Sequence, residues 1–275
     1  MTTTVFIVCI FTFIMSLTDT LAYCMRVSGI RTGQIAIAMS FVTSTLLISR
    51  LSNMFQAPLL GALVDTTIMS DNLNKLEFLE MQFRWIIFFG FLAVLVGMVL
   101  SPTMINIFES AIKNFRHHGS MIQLIGKAIK PTNILKWIRF IERPKFSNLS
   151  LISLIGIPKT FLVLNIFVTA IHGIGVLCSL LAGAYLPEYR ATALMLSGIV
   201  NGLATIMLTL FVDPSGARIT DQAMHDVRTQ QDVRNVVFLL QMGRALGLLV
   251  VAQVTLLLFT RYIMVVTQWI AGWAM

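Results

Sequence analysis

The stretch LLISRLSNMFQAPLLGALVD, residues 46–65, lies at the end of an apolar run over residues 34–64. This run is longer than the roughly 20 apolar residues that a helix needs to cross the hydrocarbon of a bilayer. It nevertheless contains a guanidinium, Arg50, and two amides, Asn53 and Gln56. The stretch therefore predicts a membrane-spanning helix that has one polar side.

The chain as a whole has the composition of a polytopic membrane protein. Hydrophobic residues make up 57% of its 275 residues and charged residues 12%, whereas a soluble domain has about 25% charged residues. The net charge of +8 favours basic cytoplasmic loops that face anionic membrane phospholipids, and we expect no nucleic-acid partner. The cysteines have no paired spacing, which is typical of small buried hydrophobic residues: Cys9, Cys24 and Cys178.

Hydropathy predicts an all-α protein with six transmembrane helices, at about 4–25, 34–64, 84–106, 158–185, 192–212 and 236–260. No Lys or Arg precedes the first apolar run, so we interpret it as a retained span, not as a cleaved signal peptide. The second span is long and is expected to tilt or to bend near Pro58. The residues after Arg261, which include Trp269 and Trp273, either extend the sixth helix or lie at the membrane interface.

The basic residues predict the orientation in the membrane. With the N-terminus outside, fourteen of the 20 Lys and Arg residues fall in cytoplasmic loops and four in external ones. The first cytoplasmic loop then holds Arg26 and Arg31, while Arg50 and Arg244 lie within spans. The positive-inside rule therefore places both termini outside.

Residues 107–157 form the one sizeable segment that is not expected to span the membrane. Basic and apolar residues alternate there at helical spacing, which predicts one or two helices on the cytoplasmic surface, broken at Pro131. This segment either anchors the chain to anionic phospholipids or collects an anionic lipid substrate. His117 and His118 have no nearby Cys or acidic ligands, and we interpret them as solvated loop residues.

Residues 1–106 and 158–275, the two transmembrane halves, share a weak pattern. In each half a Pro is followed seven residues later by an Asp, namely Pro58 and Asp65 in the first and Pro214 and Asp221 in the second. A short polar hinge that contains Arg precedes each pattern. Three spans per half would relate the halves as an inverted repeat, as in many transporters.

The polar residues of the second span lie on one side of the predicted helix. At about 100° per residue, five of them fall within about 100° of one another, with Arg50 beside them: Thr45, Ser49, Ser52, Asn53 and Gln56. An Arg at the centre of a span costs about 2.5–3.5 kcal/mol, so a partner is required. Two hypotheses stay open: an ion pair with Asp19 that locks two helices, or a cavity in which Arg50 meets an anionic ligand.

The sixth span repeats this combination, because Arg244 lies one turn from Gln241. Arg244 either snorkels to the inner interface or belongs to the same site. The candidate charge partners are Asp19, Asp65 and Glu188, and His172 is either a hydrogen-bonded interior residue or a proton relay. The small-residue pairs Gly198–Gly202 and Gly243–Gly247 each provide a face for a homodimer.

Motifs for catalysis are absent from the sequence. There is no HExxH, no GxSxG, no nucleotide-binding loop and no cluster of acids, so we expect no enzymatic activity, cofactor or metal. Arginine binds phosphate in a bidentate way and stays charged. The pattern therefore favours handling of an anionic amphiphile, with a membrane enzyme acting on a polyprenyl-phosphate carrier, or a non-transporting scaffold, as the alternatives.

Two stretches, AYCMRVSGIRTGQIAIAMS (residues 22–40) and ISRLSNMFQAPLLGALVD (residues 48–65), resemble the Amj family of bacterial lipid II flippases, the alternate to MurJ. The resemblance implies a multi-pass protein of the bacterial cytoplasmic membrane. It also implies that the substrate is lipid II, an undecaprenyl pyrophosphate that carries a disaccharide-peptide and moves to the outer leaflet. Without a nucleotide-binding motif, the membrane potential is the candidate energy source.

For such a substrate we predict alternating access, with the pyrophosphate held by arginines and the sugar and peptide by neutral polar groups. The predicted contact residues are Arg26, Arg31, Ser49, Arg50, Asn53, Gln56, Gln241 and Arg244.

Overall fold

The computed structural model describes residues 3–70, 73–118, 141–142 and 156–274. Within these ranges, six helical runs are long and apolar enough to cross a membrane: Thr3–Thr32, Ile35–Ile68, Lys75–Phe115, Lys159–Tyr185, Pro187–Met224 and Gln230–Trp273. The predicted all-α architecture with six spans is confirmed.

The first half consists of α1 (Thr3–Ala22), α2 (Cys24–Thr32), α3 (Ile35–Ile68) and α4 (Lys75–His118). Only Tyr23 separates α1 from α2, and Gly33 ends α2 with the left-handed φ of 67° that glycine readily adopts. Arg26 and Arg31 therefore lie on a helix, and the prediction that they belong to a loop is wrong. The apolar run ends near residue 25, but helical hydrogen bonding continues through the polar residues that follow.

The second half begins with α5 (Lys159–Tyr185), a short 3₁₀ turn (Pro187–Tyr189) and α6 (Arg190–Met207). A π-helical segment, Leu208–Val212, connects α6 to α7 (Asp213–Met224). A second π-helical segment, Gly247–Ala252, lies between α8 (Gln230–Leu246) and α9 (Gln253–Ala274).

Several helices extend beyond their predicted ends. The 44 residues of α4 correspond to about 66 Å at 1.5 Å per residue, roughly twice the hydrocarbon thickness. His117 and His118 end this helix, so the prediction that they belong to a loop is wrong. Trp269 and Trp273 belong to α9, so the C-terminal residues extend the sixth helix. The predicted surface helices, including the break at Pro131, lie largely outside the described residues.

The two halves pack in the same manner. In the first half α1 contacts both α3 and α4, and in the second α5 contacts α6 as well as α8 and α9. α1 and α5 are the more deeply buried spans, whereas α3 and α6 are peripheral and pack mainly on α1 and α5. An apolar core joins the halves, and it includes Val64, Phe83, Ile174, Leu181 and Leu256.

Glycines allow close helix packing in both halves. A Cβ on Gly97 of α4 would lie 2.8 Å from the Thr20 side chain of α1, and one on Gly247 would lie 2.7 Å from the carbonyl oxygen of Ile166 in α5. Gly247 is therefore used within the chain, as is Gly243, which does not support a homodimer face at this pair. A Cβ added to Gly198 or Gly202 would have no heavy atom of the described residues within 4 Å.

Successive spans run in opposite directions, which defines two faces of the bundle. The N-terminal face contains the start of α1, the α3–α4 connection and the turn before α6. The opposite face contains the α2–α3 connection, the end of α4, the start of α5 and the α7–α8 connection.

The three cysteines are free and buried, as the sequence predicts.

Candidate functional site

A cavity of about 970 Å³ lies between the two halves of the bundle. Its walls come from α1, α2 and α3 of the first half and from α5, α6, α7 and α8 of the second. The volume is near the upper end of the range of about 300–1,000 Å³ that is typical of small-molecule pockets. The cavity is therefore large enough to admit a substantial polar group.

The cavity occupies the half of the bundle that is nearer the opposite face. Along α3 its lining extends from Ile35, the first residue of the helix, to Asn53, and along α6 and α7 from Ala204 to Asp221. Nearer the N-terminal face, residues of the same helices are buried in the apolar core that joins the halves, among them Leu60, Leu63, Leu196 and Val200. The region between α3 and α6, which we call the path, thus contains a cavity toward the opposite face and buried apolar residues toward the N-terminal face.

Arg50 lies on the cavity wall. It lies close to the middle of α3 and is exposed, and it makes no ion pair with any residue that the structure describes. Ser49 and Asn53 line the cavity beside it. The predicted ion pair between Arg50 and Asp19 is not formed, because the Asp19 carboxylate has another partner.

The partner of Asp19 is Arg244. Its Nη2 lies 2.7 Å from Oδ2 of Asp19, and the two side chains are 12% and 15% exposed. This pair joins α1 to α8 on the cavity wall, so Arg244 points into the bundle and does not snorkel to an interface. The Nε of Arg244 is buried and has no hydrogen-bond partner among the described residues, so the guanidinium keeps capacity for a further acceptor.

His172 of α5 lines the same cavity as this ion pair. Its side chain is exposed and makes no hydrogen bond to the described part of the chain. It is therefore not the hydrogen-bonded interior histidine that was one of the two sequence hypotheses.

A second ion pair in the cavity wall joins the halves. Nη2 of Arg26, on α2, lies 3.3 Å from Oδ1 of Asp213, at the start of α7. Arg26 is 8% exposed, and its Nη1 is buried without a hydrogen-bond partner in the described structure. This guanidinium lies directly against Gly216, in the space that a Cβ of that residue would fill.

Three of the predicted contact residues lie outside the cavity lining. Arg31 binds α4 through Asn106 and Glu109, at 3.2 and 3.5 Å. The amide of Gln56 donates to the Thr12 hydroxyl at 2.8 Å. Both contacts hold neighbouring helices of the first half together.

Gln241 is the third of these residues. Its amide donates to the Ser101 hydroxyl at 2.9 Å and to the Thr20 carbonyl oxygen at 3.1 Å. It therefore links α8 to the first half from a fully buried position.

The remaining predicted charge partners lie near the N-terminal face. Asp65, near the end of α3, forms an ion pair with Arg190, the first residue of α6. Glu188 is exposed in the 3₁₀ turn that precedes Arg190. Neither carboxylate lines the cavity.

Sequence reasoning missed Asp213 and the role of Arg190. Hydropathy ends the fifth span at residue 212, the last apolar residue before a charge, and so excludes Asp213 from the membrane. The helical path in fact continues through Asp213 to Met224. The signal that was available is the Asp-Pro pair itself, since proline is favoured in the first turn of a helix.

The sequence-family model of Amj, the alternate to MurJ, matches residues 11–267. The chain belongs to the Amj family. It is 33% identical over 269 residues to the protein named Lipid II flippase Amj of Bacillus subtilis (strain 168), and the alignment covers 98% of each chain. No solved structure matches it.

Membership of the Amj family confirms the resemblance carried by the N-terminal stretches. Of the residues in those stretches, five polar ones line the cavity: Tyr23, Arg26, Ser49, Arg50 and Asn53. This Amj-family chain is thus a multi-pass membrane protein with an arginine-bearing cavity between its halves.

Proposed function

We propose that this protein moves lipid II from the inner to the outer leaflet of the cytoplasmic membrane, in keeping with the name of its relative, a lipid II flippase. The observation that carries the proposal is the position of Arg50. A cation that is expensive to insert is kept in the middle of a span, faces a cavity and makes no ion pair in the described structure. An anionic ligand would supply the missing partner.

The pyrophosphate fits the arginines of this cavity. Guanidinium groups bind phosphate oxygens through paired hydrogen bonds and keep their charge in a partly dry site. Arg50 is available, while Arg26 and Arg244 each carry a buried N–H without a partner among the described residues. We infer that the pyrophosphate first meets Arg50 and then competes with Asp213 and Asp19 for the two other guanidiniums.

Neutral polar groups are placed to contact the sugar and peptide. Ser49 and Asn53 project from α3, and Thr169 and Thr205 belong to the other half. Hydroxyl and amide groups both donate and accept hydrogen bonds, which suits a head group that also does both. These contacts would replace water on the head as it crosses the membrane.

The hydrocarbon tail is proposed to stay in the lipid. α3 and α6 flank the cavity but pack mainly on different neighbours. Their outward sides carry exposed apolar residues, including Leu47, Leu51, Met54, Ile199, Leu203 and Ile206. A head group in the cavity can therefore remain attached to a tail that lies between or beside these helices.

The transport step is proposed to be alternating access, with one half rocking against the other around Arg50. It is supported by the cavity, which lies between the halves and whose described lining extends toward the opposite face. By the charge distribution of the loops, that face is cytoplasmic. A negative head that moves outward gains about 2.3 kcal/mol per charge for each 100 mV of inside-negative potential.

The test compares Arg50→Ala with Arg261→Ala in proteoliposomes that contain lipid II with a fluorophore on its peptide. Arg261 is also exposed but lies outside the cavity, so the control removes the same charge. The flipping rate is measured by bleaching with a membrane-impermeant reductant. Loss of charge-assisted hydrogen bonds worth about 1.5–3 kcal/mol predicts that only Arg50→Ala slows flipping, by about 10- to 100-fold.

Equal flipping rates for the two variants, at equal reconstituted amounts, would remove Arg50 from the mechanism. Flipping by neither the variants nor the unaltered protein favours the scaffold alternative. Release of phosphate from the carrier lipid by the purified protein favours the enzyme alternative.

A further inference from the structure

The ion pair between Asp65 and Arg190 lies at the closed end of the path between α3 and α6. Asp65 is near the end of α3, Arg190 begins α6, and both lie at the N-terminal face. Among the described residues, no other hydrogen bond or ion pair joins these two helices. The pair is therefore the polar link between the two helices that flank the cavity.

Along both helices, buried apolar residues lie between this link and the cavity. Leu60, Leu63 and Val64 of α3 belong to the same buried cluster as Leu196 and Val200 of α6. The cavity ends on the other side of this cluster, at Asn53 on α3 and Ala204 on α6. The ion pair and the apolar cluster together separate the cavity from the N-terminal face.

The opposite face lacks a matching link among the residues that the structure describes. In the pattern shared by the two halves, Asp221 follows Pro214 as Asp65 follows Pro58. Asp221 lines the cavity, and its Oδ1 lies 3.6 Å from Nδ1 of His225, which belongs to the same half of the chain. Within the described ranges it makes no ion pair with α3. The carboxylate that follows the proline thus links α3 to α6 at the closed end, whereas its counterpart, Asp221, contacts only its own half among the described residues.

We propose that the Asp65–Arg190 pair is the outer gate of the transport path, which opens when the cavity turns toward the N-terminal face. This proposal rests on the proposed transport function, because only a transporter would use the region between α3 and α6 as a route for its substrate. The side chains of Asp65 and Arg190 are 48% and 25% exposed, and ion pairs that are this accessible contribute little net stability. Such a pair biases the equilibrium between two conformations and still breaks readily.

The geometry predicts how its loss changes access to the cavity. Thr205 lines the cavity from α6 and is exposed to it. A cysteine at this position serves as a reporter, because Cys9, Cys24 and Cys178 are buried. When the gate is intact, an impermeant maleimide reaches Thr205→Cys from the opposite face. When the gate is broken, the same reagent reaches it more often from the N-terminal face.

The experiment measures labelling of Thr205→Cys from each side of oriented vesicles that contain no lipid II. Asp65→Asn and Arg190→Gln are each expected to raise the labelling rate from the N-terminal face by about two- to fivefold. They are expected to lower labelling from the opposite face. The exchanged double variant, Asp65→Arg with Arg190→Asp, is expected to return both rates toward those of the reporter alone.

Glu80→Gln is the matched control. It removes an ion pair with Arg84 that also lies toward the N-terminal face, but within α4 alone. The proposal is overturned if Asp65→Asn and Arg190→Gln change sided labelling no more than Glu80→Gln does. It is also overturned if the exchanged double variant fails to reverse their effect while labelling shows a normally inserted protein.

Failure of the proposed function has a different outcome. If the unaltered protein does not flip lipid II but the gate variants still change sided labelling, the gate stands and the substrate assignment falls. If flipping is normal and insensitive to both gate residues, and labelling does not change, the gate falls and the substrate assignment stands.

Discussion

The position of Arg26 depends on Gly216, which has no side chain. Its guanidinium occupies the space beside Gly216 on α7, which places it within 3.3 Å of Asp213. Most glycines in a helix cost stability relative to alanine, by roughly 0.5–1 kcal/mol. At position 216 the absence of a Cβ gives the guanidinium room on the cavity wall, so this glycine contributes to the site and not to helix stability.

At the residue scale, Gly216→Ala is therefore expected to displace Arg26 and to slow lipid II flipping by several-fold. The control is Gly198→Ala on α6, where a Cβ meets no described heavy atom within 4 Å. This control is expected to leave flipping unchanged and to raise the thermal unfolding midpoint slightly. The assay is the same bleaching of fluorescent lipid II, and equal flipping rates for the two variants contradict the placement of Arg26.

Part of the cavity lining was predictable from the sequence. The helical period placed Ser49, Arg50 and Asn53 together, and all three line the cavity. Gln56 has nearly the same direction on α3, but it lies deeper in the bundle and binds Thr12 of α1. Helical periodicity predicts the direction in which a side chain leaves its own helix. It does not predict which neighbouring helix or cavity lies in that direction.

At the element scale, the contact between α1 and α4 depends on small residues. Gly90 and Gly97 of α4 face Ser16 and Thr20 of α1, and a Cβ added to either glycine would lie 3.3 or 2.8 Å, respectively, from those side chains. Without a hydrophobic driving force between helices in lipid, such close backbone approach is a main source of association.

Gly97→Leu is accordingly expected to destabilise the protein by about 1–3 kcal/mol, because the added atoms overpack a tight contact. Gly272→Leu, near the end of α9, is the control, since no described heavy atom lies within 4 Å of its Cβ position. Thermal unfolding in detergent should show a lower midpoint for Gly97→Leu alone. Similar midpoints for both variants would argue against this packing.

Element existence was predictable from hydropathy, and element length was not. All six predicted spans lie near their observed positions, since each contains an apolar run of sufficient length. Helices end where hydrogen bonding and packing end, which explains why α4 begins at Lys75 and not at residue 84. Asp213 was not predicted for the same reason: hydropathy ends the fifth span at residue 212, whereas helical hydrogen bonding continues to Met224.

At the scale of the whole molecule, the distribution of charge predicts the orientation of the bundle. Leu73 is 99% exposed at the N-terminal face, and Val227 is 70% exposed at the opposite face. Because the sequence assigns fourteen basic residues, including Arg26 and Arg31 of α2, to the side of the opposite face and four to the side of the N-terminal face, the N-terminal face is expected to be outside.

Single cysteines at these two positions test this orientation. In intact cells, an impermeant maleimide should label Leu73→Cys and should label Val227→Cys only after the membrane is permeabilised. The buried native cysteines should give little background. The reverse pattern would invert the direction of transport that we assign to the cavity.

The assembly of the site from both halves was beyond sequence analysis. Arg26 meets Asp213 across 187 positions of the chain, and Arg244 meets Asp19 across 225. No local period records such contacts: the sequence suggested Arg50 as the partner of Asp19, and Asp213 was not among the predicted charge partners. The packing of α2 against α7 and α8, and the approach of Asp19 on α1 to Arg244 on α8, decide which pairs form.

The separate packing of α3 and α6 has a consequence for the range of carriers that the protein can accept. Exposing hydrocarbon to water costs about 0.8 kcal/mol per methylene. A fully enclosed route would therefore have to be long enough to shield every isoprene unit of the tail from water. A route that is open along its side leaves those units dissolved in the bilayer throughout. If the tail stays in the lipid as proposed, selection is expected to depend on the charged end of the carrier, and carriers of different chain length are expected to be moved at similar rates.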